Sequence, residues 1–139
     1  MDLAGPFHLA IGVKNLETAR AFYGDLLGCA EGRSAERWVD YDFFGHQLSL
    51  HLISSSDDAH TNPVDGDSVP IPHFGCVLPW SDWHALAERL EGRGHEFILG
   101  PRIRFKGEVG EQATFFVSDP SQNALEFKSF RHPDRLFAS

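Results

Sequence analysis

Apolar and polar positions alternate along this chain in two similar series, one on either side of a polar stretch. In the first, Phe7 to Val13 reads as a strand, and Leu16, Ala19, Phe22, Tyr23, Leu26 and Leu27 follow at helical spacing. Asn15 is placed to cap that helix, Glu17 sits in its first turn where a carboxylate suits the helix N-terminus, and Gly28 is placed to end it. Arg37 to Phe44 is rich in strand-forming aromatics, with Trp38, Tyr41 and Phe43. Gly45 fits a tight turn, and His46 to Ile53 sets Leu48, Leu50 and Leu52 against Gln47, Ser49 and His51. That is a strand with one apolar and one polar face.

Residues 54–70 have linker composition and predict a functional or mobile loop. The second series starts with a strand from His73 to Leu78. Ser81 is a candidate N-cap, Trp83, Leu86, Ala87 and Leu90 form the helical stripe, and Gly92 or Gly94 ends it. His95 to Leu99 predicts a short strand stopped by Gly100-Pro101. Gln112 to Val117 predicts another, residues 119–123 a turn, and Ala124 to Phe130 the last strand. Each series reads strand, helix, then two or three strands. Neither can bury a sheet face alone, so the expectation is an α+β fold of two tandem βαβββ modules forming one curved mixed sheet. A single domain over residues 1–139 is expected, with module one at about 5–54, a linker at about 55–70, module two at about 71–130 and a tail at 131–139. Duplication predicts a pseudo-twofold axis that brings His8 and His73 together.

Charge and composition narrow the partners. A formal net charge of −8 opposes general affinity for nucleic acid or anionic membrane. No apolar run approaches the roughly 20 residues of a spanning helix, and the N-terminus lacks the basic and apolar regions of a secretory signal. Cys29 and Cys76 form no CxxC pair and no disulfide framework, so a reducing cytoplasm is the expected compartment and a small molecule the expected partner.

The chemistry lies in the repeat. His8 shares a strand face with Ala10 and Gly12, and His73 shares one with Gly75 and Val77; the small neighbours leave room for a ligand. On the last strand Glu126 lies between Leu125 and Phe127, where a dehydrated carboxylate is costly unless paired or metal-bound. Two imidazoles and a carboxylate with open positions form the facial set typical of non-heme Fe(II), and Mn(II) or Zn(II) suits the same donors. A lone strand histidine is more often an ordinary half-buried residue. Its recurrence at the duplicated position, with Glu126 on the closing strand, favours the metal reading.

The segments from His8 to Gly28 and from Phe116 to Phe127 (Phe-Val-Ser-Asp-Pro-Ser-Gln-Asn-Ala-Leu-Glu-Phe) closely resemble the vicinal oxygen chelate superfamily. That group includes glyoxalase I, extradiol dioxygenases, fosfomycin-resistance transferases, methylmalonyl-CoA epimerase and bleomycin-binding proteins. Phe44-Gly-His-Gln47 and Arg104 to Gln112 resemble a subgroup of small single-domain extradiol-type dioxygenases. The resemblance covers nearly the whole chain. It implies a divalent metal in a cup, with ligands at His8, His73 and Glu126, and a homodimer. Glyoxalase-like members add a fourth ligand on the last strand of module one, where Ser49 is the counterpart of Glu126; serine is a poor ligand, which disfavours a glyoxalase reaction. Gln47 or His51 reaches that position if the register slips. Extradiol members usually carry a tyrosine on the strand before the carboxylate ligand, and Ala113 to Val117 has none. His46 and His51 are the proton-transfer candidates.

Arg102, Arg104 and Lys106 are spaced by two and are candidates to bind an anionic substrate group, or equally to protect a sheet edge. Gly107 and Gly110 make that stretch a candidate lid. Phe115, with Trp38, Tyr41 and Phe43, is a candidate pocket aromatic, although strand aromatics are more often core. The leading expectation is an Fe(II) extradiol-type dioxygenase acting on a small catechol-like substrate. The alternatives are a glutathione or thiol transferase, isomerase or epimerase on the same metal, or a non-catalytic drug-binding module of the bleomycin-resistance type.

Overall fold

The computed structural model describes residues 4–54, 60–64 and 66–137. The chain divides into two compact units, Met1–Asp57 with Asp119–Gln122, and Asp58–Ser118 with Asn123–Ser139.

In the first unit β1 (His8–Val13) is followed by α1 (Leu16–Arg20), which continues as a π-helical segment over Ala21–Leu26. The Asn15 side chain caps α1 by accepting from the Thr18 N–H at 2.9 Å. Gly28 ends the helical run at φ 81°, a conformation that favours glycine. Strands β2 (Ala30–Ala35), β3 (Trp38–Phe43) and β4 (His46–Leu52) complete a four-stranded sheet of order β1-β4-β3-β2. Phe44 and Gly45, at φ 53° and 90°, form the two-residue turn between β3 and β4. That turn sets the register Asp40↔Ser49 and Asp42↔Gln47. Val13, Val39, Tyr41, Phe43, Leu48 and Leu50 are buried together with Ala19, Phe22 and Tyr23 of the helical run. Burial of each large apolar side chain contributes about 1.5–3 kcal/mol.

The second unit repeats the plan. Its strands β7 (Phe74–Val77), β8 (Phe97–Arg104), β9 (Gln112–Ser118) and β10 (Ala124–Phe130) form a sheet of order β7-β10-β9-β8, with α2 (Trp80–Gly92) following β7. In both sheets the first strand pairs in parallel with the last, and the other neighbours are antiparallel. Trp83, Phe97 and Phe127 surround Phe115 with ring centroids 5.4–5.6 Å apart. The Trp83 indole N–H donates to the Phe127 carbonyl at 2.8 Å, which ties α2 to β10. The α+β class and the tandem βαβββ modules are therefore present, as two four-stranded mixed sheets.

Three local expectations need correction, and one strand was not anticipated. Residues 60–64 and 67–70, read as linker, form with Ile71 the antiparallel hairpin β5–β6, while 55–59 and 65 lie outside the described residues. Backbone pairing alone makes such a ribbon, so it leaves no apolar periodicity in the sequence. The polar residues Ala30–Ala35 form β2, an exposed edge strand without an apolar face. Helix α2 starts at Trp80 with Pro79 in the cap position, so Ser81 lies inside it; proline suits that boundary because it has no N–H to satisfy. Finally, β8 runs through Gly100-Pro101 rather than stopping there. The strand is at the sheet edge and its register shifts between Leu99 and Arg102, so Pro101 interrupts no regular ladder.

Candidate metal centre

Within the second unit β7 and β10 pair with Gly75 opposite Glu126. A Cβ on Gly75 would overlap the Glu126 carbonyl and lie 2.6 Å from its carbon. The small residue expected to leave room for a ligand thus makes room for backbone. His73 stands immediately before β7. Its Nδ1 is 2.7 Å from the Pro70 carbonyl, which assigns the proton to Nδ1 in the neutral ring and leaves a lone pair on Nε2. Nε2 lies 3.1 Å from Glu126 Oε1. The fully buried Thr114 donates its hydroxyl to the other carboxylate oxygen, Oε2, at 2.5 Å. Phe116, opposite Glu126 on β9, meets the His73 ring edge-on at 4.9 Å.

A neutral imidazole nitrogen and a carboxylate oxygen facing one another are two acceptors, and their attraction requires a shared cation. A proton answers in the metal-free protein. The hydrogen bond to Glu126 raises the His73 pKa above its ordinary value; burial opposes this, the Pro70 carbonyl adds to it and Lys128 reduces it. Burial pushes the Glu126 carboxyl up, but the bonds from His73 and Thr114 and the charge of Lys128 outweigh it, so its pKa is lowered. A divalent metal answers equally well. Two ligands bonded to one ion at about 2.0–2.2 Å and roughly at right angles stand about 3 Å apart, which matches the separation here. Tautomer, donor set and spacing therefore fit a metal ion held by His73 Nε2 and Glu126 Oε1.

Each unit's register places the other sequence candidates. Two residues after His8, Ala10 pairs with Ser49; two residues after His73, Gly75 pairs with Glu126. Ser49 is thus the positional counterpart of Glu126, and it donates to Asp40 Oδ1 at 2.6 Å. Gln47 also donates to Asp40, at 3.2 Å. His8 is exposed at the start of β1 in the first unit. His46 is exposed and its Nδ1 accepts from the Phe7 N–H at 2.8 Å, whereas the exposed side chain of His51 makes no hydrogen bond among the described residues. Arg104 is almost fully buried and pairs with Asp67 at 3.1 Å; Arg102 pairs with the same carboxylate. Lys106 is exposed beyond the end of β8, and Phe115 is fully buried among the aromatic rings of the core. Among the described residues, no three His, Cys, Asp or Glu side chains gather as a metal-ligand group; His73 and Glu126 are the pair brought together.

Asp40, Thr114 and Lys128, which bond to or flank the candidate residues, were not among those the sequence pointed to. Counting outward from the Phe44-Gly45 turn would have paired Asp40 with Ser49. The same counting from the turn before β10 puts Thr114, Phe116, Glu126 and Lys128 on one face.

Two tandem βαβββ modules, the second carrying a histidine–carboxylate pair, define the class of fold. The chain belongs to the glyoxalase/bleomycin resistance protein/dioxygenase superfamily, whose family profile matches residues 5–127. A glyoxalase/bleomycin resistance protein/dioxygenase from Alicyclobacillus acidocaldarius is 33% identical, with 95% of this chain and 96% of that one covered and a TM-score of 0.80. A fosfomycin resistance protein from Listeria monocytogenes has the same fold at 18% identity, covering 97% and 100% of the two chains with a TM-score of 0.70. A lactoylglutathione lyase from Agrobacterium tumefaciens does so at 16% identity, covering 100% of each chain with a TM-score of 0.67.

Proposed function

We propose that the protein is a metal-dependent enzyme and that its reaction is Fe(II)-dependent extradiol cleavage of a small catechol-like diol. His73 and Glu126 hold the metal, with His8 as the third protein ligand on the strength of the duplicated sequence pattern. The observation that carries the reading is the 3.1 Å contact between His73 Nε2 and Glu126 Oε1, with Nδ1 already engaged by Pro70. When bound, the ion supplies chelation of two neighbouring substrate oxygens and the redox capacity that cleavage by O2 requires. The chain's own residues hold the site ready for it. Thr114 fixes one Glu126 oxygen and leaves the other for the metal. Phe116 packs edge-on against the His73 ring. Ser49, the counterpart of Glu126, is itself a poor ligand, and its hydroxyl is engaged by the Asp40 carboxylate. His51 is the better proton-transfer candidate, because one ring nitrogen of His46 is engaged by Phe7.

The absence of a tyrosine on β9 favours a second reading, thiol transfer or isomerisation on the same metal. One experiment separates the two: anaerobic loading with Fe(II), followed by a catechol panel monitored for O2 uptake and yellow ring-opened product. Stoichiometric iron lost in His73→Ala, Glu126→Ala and His8→Ala, together with O2 consumption, supports the first reading. Bound metal without O2 uptake moves the assignment to the second, and metal retained in all three variants refutes the ligand set. The homodimer is proposed from the family resemblance and is tested by light scattering.

A further inference from the structure

We propose that Lys128 forms an anion subsite beside the His73–Glu126 centre, and that the substrate is a small metal-chelating molecule carrying a separate carboxylate. The inference rests on the metal reading above and extends it to the part of the substrate away from the metal. Lys128 lies two residues beyond Glu126 on β10 and therefore on the same sheet face. In register its neighbours are Thr114 on β9 and Val77 on β7. Thr114 already gives its hydroxyl hydrogen to Glu126, and Val77 is aliphatic, so neither neutralises an ammonium.

The other two cations of this face are compensated: Arg102, opposite Thr114, and Arg104, opposite Gln112, both pair with Asp67. Lys128 is half-buried, and among the described residues no carboxylate lies within ion-pair distance of it. Its contact is the Phe130 ring, whose centroid is 5.8 Å from Nζ, a cation–π arrangement that keeps the charge without cancelling it.

A half-buried ammonium next to a cation-binding pair is unfavourable twice over. It is partly desolvated, and it repels the metal ion that the pair would hold. A substrate anion removes both costs at once. The spacing suits one molecule: two residues along a strand span on the order of 7 Å, close to the reach of a benzene ring from a ring oxygen to a carboxylate on the opposite side. The anionic-group role that the sequence suggested for Arg104 and Lys106 thus passes to Lys128.

The test uses two probes with the same chelating diol and different charge, 3,4-dihydroxybenzoate and 3,4-dihydroxybenzamide. Each is titrated calorimetrically into the full-length protein loaded anaerobically with Fe(II). The wild type is expected to bind the benzoate about tenfold more tightly than the benzamide, as one charge-assisted contact would give. Lys128→Gln should bring that ratio to near one without weakening Fe(II) binding, and Lys128→Arg should keep most of it. A wild-type ratio near one, a Lys128→Gln protein that keeps the preference, or iron-loaded protein that binds neither probe would overturn the subsite. Wild-type protein that takes up no iron instead refutes the metal reading, and the subsite with it.

Discussion

Gly75→Ala is the substitution whose cost the backbone geometry dictates most directly. The added Cβ would overlap the Glu126 carbonyl and fall 2.6 Å from its carbon and 3.1 Å from its nitrogen. Carbon–carbon contacts are comfortable at about 3.5–4.0 Å, so β7 and β10 must separate by roughly 1 Å or more. That lengthens ladder bonds of about 2.9 Å past useful range. Losing about two of them costs about 1 kcal/mol each, and overpacking adds about 1–3 kcal/mol. The expected destabilisation is about 3–5 kcal/mol, which for a chain of this size is a fall in Tm of roughly 10–20 °C. The assay is thermal unfolding of the metal-free protein followed by circular dichroism. Gly12→Ala is the contrast on β1, because there the nearest atoms to the new Cβ belong to the Ile53 side chain, which can turn aside, and not to backbone. Gly75→Ala with a Tm within about 2 °C of wild type would refute the reasoning, since the close approach of the two strands would then carry no energetic weight.

Three further predictions concern the site and its supports. Thr114→Val removes the hydroxyl from Glu126 Oε2 with little change in shape and should weaken divalent-metal binding by about 10–100-fold, with Thr114→Ser restoring it; calorimetry with Mn(II) checks this, and equal affinities would count against the role. The stability that the His73–Glu126 pair lends the metal-free protein has a defined pH window. His73 is raised, so its contribution is full below the ordinary 6.5 and is lost as pH rises through the folded value. Glu126 is lowered, so its contribution is full above the ordinary 4.5 and is lost as pH falls through the folded value. The difference in urea midpoint between wild type and Glu126→Gln should therefore peak between these two values and shrink on either side; a difference that does not vary with pH would contradict it. Tyr23→Phe deletes a buried 2.8 Å hydrogen bond to Asp119 and should cost about 1–3 kcal/mol, read as a lower urea midpoint. The phenol itself should not ionise in the accessible alkaline range, because burial first and Asp119 second hold its pKa well above ordinary.

By itself the sequence determined the elements that bury an apolar face. The α1 and α2 stripes, the alternation of β4, the Asn15 cap and the duplication were legible because each leaves a periodic or terminal signature in one stretch of chain. The candidacy of His73 and Glu126 was legible for the same reason, as polar residues set in apolar strands. Tertiary structure alone decided the rest. The edge strand β2, the β5–β6 hairpin and the continuation of β8 past Pro101 are held by backbone pairing, which imposes no side-chain pattern. Whether Arg104 faces a ligand or Asp67 depends on a hairpin with no apolar signal of its own, and the 3.1 Å meeting of His73 with Glu126 depends on Gly75 letting two backbones close together. Local patterns record what one segment buries; which atoms face each other across strands is set by register and close approach, and those are properties of the folded sheet.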